Sequence, residues 1–132
     1  MPTEESSQNE FPLFPILRGE SVGEDGEFSG HVFILRNPED FSRKWKSDDI
    51  AVLDDGLSKY ITENPDALNS LFKSVSAVLS EFGGPMSQFS SAAIEQESIC
   101  AVRIADASHV LENHMHIRVV AKENQGDIFF ID

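Results

Sequence analysis

Short apolar runs recur along this chain, and each is cut off by a glycine, a proline or a helix-cap signal. The clearest are His31-Val32-Phe33-Ile34-Leu35, Ile50-Ala51-Val52-Leu53, Ala77-Val78-Leu79, residues 99–104, Ile117-Arg118-Val119-Val120-Ala121 and Ile128-Phe129-Phe130-Ile131. Runs this short, rich in β-branched residues, read as strands. Helical signals lie between them. Asn37-Pro38-Glu39-Asp40 combines a capping side chain, a proline suited to a first turn and acids at the positive end of a helix dipole. It predicts a helix running to about Trp45. Thr62-Glu63-Asn64-Pro65-Asp66 repeats the signal ahead of Leu68, Leu71 and Phe72 at helical spacing. Residues 90–97 and 106–111 read as further short helices, with Asp106 as a cap, and a turn near Asn124-Gln125-Gly126 joins the last two strands as a hairpin. The expected fold is therefore α/β, a mixed sheet with short helices and antiparallel pairing near the C-terminus.

With 132 residues the chain is long enough for one core and too short for two. Residues 1–10 are polar and carry Glu4, Glu5 and Glu10 without a counter-charge, so a disordered acidic tail is expected there, followed by a single domain over 11–132. In Phe11-Pro12-Leu13-Phe14-Pro15-Ile16-Leu17 two prolines break an apolar run, which predicts an extended arm packed on the domain, an edge strand, or a sticky arm that recruits a partner. The net charge of −13 argues against nucleic acid or an anionic membrane as a partner, since both call for a cationic face. No apolar run approaches the roughly 20 residues that cross a bilayer, and the N-terminus lacks a secretory pattern, so the cytoplasm is the expected compartment. Cys100 is the single cysteine, and in its apolar run it is expected to act as a small buried hydrophobe.

Several constellations weigh against catalytic readings. Gly19, Gly23, Gly26 and Gly30 precede a strand rather than a helix, so they read as loop and bulge positions and not as a nucleotide fingerprint. His114 and His116 alternate on a possible strand and would face one side, but the usual metal-site spacings are absent and no metal is expected. His31 and His109 read as structural or solvent-facing. In Asp48-Asp49 and Asp54-Asp55 the neighbours on a strand point apart, which makes them solvated loop ends. Trp45 and the ten phenylalanines read as core.

Gly83-Gly84-Pro85-Met86-Ser87-Gln88 is different, because it joins a strand to a helix. Such a junction offers unpaired backbone N–H groups at the positive end of a helix dipole, which suits an anion such as a phosphoryl group. Gly83 and Gly84 permit a sharp turn and close approach of a ligand, and Ser87, Gln88, Ser90 and Ser91 add donors. The alternative is a tight turn ahead of a serine-capped helix.

The order of elements and the residues around this turn resemble the phosphohistidine, or swivelling, domain of PEP-utilizing enzymes. Gly23 to Leu35 is similar to that family's opening glycine-rich loop and strand, Leu79-Ser80-Glu81-Phe82-Gly83-Gly84 to the strand end before its active loop, and Ile99-Cys100-Ala101-Val102 to a later strand. The resemblance implies a swivelling β/β/α domain and a partner carrying an ATP-grasp-like or PEP-binding site. In the family's Gly-Gly-x-x-Ser-His loop the histidine carries the phosphoryl group. Here Gln88 stands in its place, or Ser91 if the register is set by Ala92-Ala93-Ile94. An amide nitrogen has no basic lone pair with which to attack phosphorus. The implied protein is therefore a binding or regulatory module with no catalytic residue and no cofactor of its own. An active subunit of a split dikinase-like enzyme and a structural interaction protein are the alternatives.

Overall fold

The computed structural model describes residues 14–83 and 88–131. Seven strands lie within them: β1 (Leu17–Ser21), β2 (Gly26–Leu35), β3 (Asp49–Leu53), β4 (Ala77–Ser80), β5 (Ile99–Val102), β6 (His116–Lys122) and β7 (Gln125–Phe130). The helices are α1 (Ser58–Glu63), α2 (Pro65–Ser74), α3 (Gln88–Glu95) and α4 (Ala107–Val110), with 3-10 turns at Pro38–Ser42 and Asp55–Leu57.

The strands close into a barrel in the order β1-β5-β4-β3-β2-β6-β7. Strands β2, β3, β4 and β5 run parallel in sequence order, and β6, β7 and β1 complete the ring by antiparallel pairing. Parallel neighbours need crossovers. These are supplied by the Pro38–Ser42 turn, by α1 with α2, and by α3.

Alternation along the parallel strands builds two cores. Ile50, Val52, Ala77, Leu79, Ile99 and Ala101 point into the barrel with Ile117, Val119 and Ile128. Their neighbours Ala51, Leu53, Val78, Cys100 and Val102 point outward and pack under the helices against Leu68, Leu71, Phe72 and Phe89. Both faces of these strands are buried, so they read as continuous apolar runs. Fully buried leucines and isoleucines such as Leu53, Leu68 and Ile50 each contribute roughly 1.5–3 kcal/mol.

The expected swivelling domain of phosphohistidine type is corrected: the chain forms a closed seven-strand mixed barrel with few, short helices. Closure comes from β1, which shares only Leu17 with the segment expected as an arm or edge and includes Gly19, expected as a loop or bulge position. Leu17 pairs with Ile128 on one side of β1, and Ser21 with Ala101 on the other, so β1 has two neighbours and no free edge. The earlier part of that arm, Phe11 to Leu13, and the tail expected over 1–10 lie outside the described residues.

The helix expected to reach Trp45 stops as a five-residue 3-10 turn. Arg43 turns extended there, its Nη2 pairs with Asp49 Oδ2 at 3.0 Å, and its guanidinium lies 3.9 Å over the Phe33 ring. Trp45 packs edge-on against Phe33 at the margin of the outer core. Cys100 is fully buried as expected, and burial pushes its thiol pKa up, which suppresses the thiolate.

Candidate functional site at the carboxyl rim of the parallel strands

The carboxyl ends of β2, β3, β4 and β5 form one rim of the barrel. Ligands of parallel sheets bind outside these ends. Here the rim is partly filled by a polar cluster. Asp54, directly after β3, accepts from Gly56 N–H at 2.7 Å on Oδ1, and from Arg36 Nη1 at 3.1 Å and Ser108 Oγ at 2.8 Å on Oδ2. Glu81, directly after β4, accepts from Asp55 N–H and Ser108 N–H, both at 2.7 Å. The Ser108 hydroxyl also donates to Glu81 Oε2 at 2.8 Å, and Arg36 Nη2 donates to Ser108 O at 2.6 Å.

The cluster fastens α4 to the rim. Ser108 is 1% exposed, and its neighbours Ile104, Ala107 and Leu111 belong to the inner core. The short helix thereby plugs this end of the barrel. The hydrogen bonds, Gly56 N–H first and Ser108 next, together with the charge of Arg36, hold the Asp54 carboxyl below its ordinary value against the opposing effect of burial. Asp54 was expected as a solvated loop end; Asp55 beside it is exposed, but Glu81, after the next strand, converges with Asp54 on Ser108. Asp49, expected likewise, is 6% exposed and accepts from Arg43 Nη2 and Lys46 N–H.

Beside the cluster, the β4–α3 junction opens a cleft of about 390 Å³ lined by Ser58, Ile61, Thr62, Phe82, Gly83, Gln88 and Phe89. Phe82 and Phe89 meet edge to face, with ring centroids 5.3 Å apart. Gly83 has φ +109°, and a Cβ there would lie 3.1 Å from Phe89 and 3.2 Å from Val102. The backbone angle therefore favours glycine, and a larger residue would press on Phe89 and Val102. Arg103, itself left-handed at φ +58°, donates from Nε to Gly83 O at 2.7 Å and so brings a guanidinium to the turn. Two other hollows, of about 270 and 330 Å³, lie over Val120 and Lys122, away from the rim.

The structure brings Gly83 and Gln88 to the cleft. Gln88 opens α3, and its Nε2 donates to Ile61 O at 2.8 Å, which ties α3 to α1. Ser90 is half-buried on α3, and Ser91 is exposed. Gly84 and Ser87 lie outside the described residues. Sequence reasoning missed Arg36, Glu81, Arg103 and Ser108. The signal that marks them is their position directly after a strand, or on the short helix that follows β5.

The histidines are arranged otherwise than expected. His114 lies before β6 in a left-handed conformation (φ +74°), so it does not alternate with His116. His116 instead faces His31 across the β2–β6 pair. Among the described residues, no group of three or more His, Cys, Asp or Glu side chains is placed to hold a metal ion, and no helix is long and apolar enough to cross a membrane.

A closed mixed barrel with helices over its parallel half is the class that these features define. It is shared with two solved structures. One is a chain of holo aconitase X from Thermococcus kodakaraensis, 18% identical with a TM-score of 0.58, the match covering 86% of this chain and 97% of that one. The other is a UPF0107 protein solved by NMR, 14% identical with a TM-score of 0.57, covering 90% of this chain and 98% of that one. At these identities the likeness establishes the fold. No protein-family model and no curated protein sequence matches the chain. The resemblance to the phosphohistidine domain is corrected by these neighbours, and with it the reading of the chain as a mobile domain of a PEP-utilizing enzyme. An ATP-grasp-like or PEP-binding partner rested on that resemblance alone.

Proposed function

We propose that the protein binds a small carboxylate in the cleft beside Gly83, as an aconitase-X-like barrel whose reaction site is completed by groups from another chain. The observation that carries this reading is the position of the cleft. It lies at the carboxyl ends of parallel strands, where a strand turns into a helix, and it is larger than the two hollows over Val120 and Lys122. The Arg103 guanidinium, held between Gly83 O at 2.7 Å and Glu20 Oε2 at 3.5 Å, places positive charge at the edge of the turn, which favours an anion beside it. Phe82, backed by the buried Phe89 and Ile61, offers apolar surface on one side of the cleft.

None of the lining residues has a side chain that works as an acid or base near neutral pH. The cleft orients a ligand, and proton transfer falls to groups supplied from outside it. That division suits a short chain resembling nearly the whole of one aconitase X chain.

Calorimetric titration with a panel of small di- and tricarboxylates tests the reading. Saturable 1:1 binding of at least one acid, weakened severalfold in Arg103→Gln, supports it. Heats that are absent across the panel, or equal in the wild type and the variant, overturn it.

A further inference from the structure

The one cross-strand histidine pair among the described residues lies on the opposite flank of β2 from the parallel strands. His31 and His116 are register partners on β2 and β6, with rings stacked at a centroid distance of 4.7 Å and an interplanar angle of 20°. His31 gives its own backbone N–H to Asp48 O rather than to β6, which leaves the two side chains as close cross-strand neighbours. Asp48 also receives His31 Nδ1 at 2.8 Å on Oδ2. An ionised carboxylate only accepts, so Nδ1 carries the proton and a neutral His31 ring presents its lone pair at Nε2.

A carboxylate on one ring nitrogen, with the other left open, is the arrangement that orients a metal-binding imidazole. We propose that His31 and His116 clamp a divalent transition-metal ion, with Asp48 as the positioning residue and solvent in the open positions. Two nitrogens bound to one tetrahedral ion at ~2.1 Å stand roughly 3.4 Å apart. The rings stand stacked with centroids 4.7 Å apart, so binding one ion requires both to turn out of the stack until their in-plane lone pairs meet at that spacing. Imidazole donors select zinc, nickel or copper over calcium or magnesium. Both His31 and Asp48 are about half exposed, at 46% and 53% of their side chains, so an ion has access. The site is independent of the cleft at Gly83.

The test is a titration of the full chain with zinc chloride, read on the histidine ring resonances by NMR. The His31 and His116 signals are expected to move together and saturate at one ion per chain, with His109 and His114 unaffected and no response to magnesium. His116→Gln is expected to abolish saturation, and Asp48→Asn to weaken binding by about tenfold or more. Should His116→Gln fail to fold, His31→Gln reads the same pair from the other strand. No saturable change in the wild type, a response centred on other histidines, or full binding after loss of either ring would overturn the proposal.

Discussion

Ser108 carries a single hydroxyl proton and faces two carboxylates, Asp54 and Glu81, each 2.8 Å away. The proton is shared between them, and the backbone N–H groups of Gly56, Asp55 and Ser108 with Arg36 supply the remaining donors. Ser108→Ala removes the shared donor from a buried setting, and urea unfolding should show a loss of about 1–3 kcal/mol. The Asp54 carboxyl is held below its ordinary 3.8 in the folded protein. Its contribution to stability is therefore present above that value and lost as pH falls through the lowered one. Unfolding midpoints measured from about pH 6 down to pH 3 should fall more steeply in the wild type than in Asp54→Asn. Gly83→Ala combines an unfavourable φ with contacts at 3.1 and 3.2 Å, and should cost about 1–3 kcal/mol. Little of this was legible in the sequence. Asp54 looked like one of two adjacent acids, and its partners lie 18 and 54 residues away. Gly83 was legible, because a glycine between an apolar strand and a helix has few other uses.

At the scale of elements, the parallel strands were visible because burial on both faces leaves them as unbroken apolar runs. The hairpin was visible too, though its turn falls at Glu123 and Asn124, both left-handed at φ +54° and +68°, with Gln125 and Gly126 already in β7. Those angles suit a type I′ turn, for which Asn-Gly is the preferred pair. Glu123→Asn with Asn124→Gly should raise stability by roughly 0.5–1 kcal/mol, measured as a higher thermal midpoint. The role of β1 was not legible. Pro12 and Pro15 just before it suggest an edge, and its partners β5 and β7 lie at the far end of the chain. The helix expected to reach Trp45 was lost to a tertiary contact, the pairing of Arg43 with Asp49.

At the scale of the whole molecule, short helices between short strands fit many α/β arrangements, and the choice among them depends on long-range pairing. Gly83-Gly84 and the small residues after it serve any tight strand-to-helix junction, so they drew a resemblance that the neighbouring structures do not support. The junction nevertheless lies beside the cleft at the carboxyl rim, where the small carboxylate is proposed to bind. Mapping a carboxylate titration by amide chemical shifts tests this account most directly. Saturable shifts should centre on Gly83, Gln88 and Phe89 and extend to Ser58 and Thr62. Shifts centred instead on Val120, Lys122 and Asp127, or none at all, would contradict it.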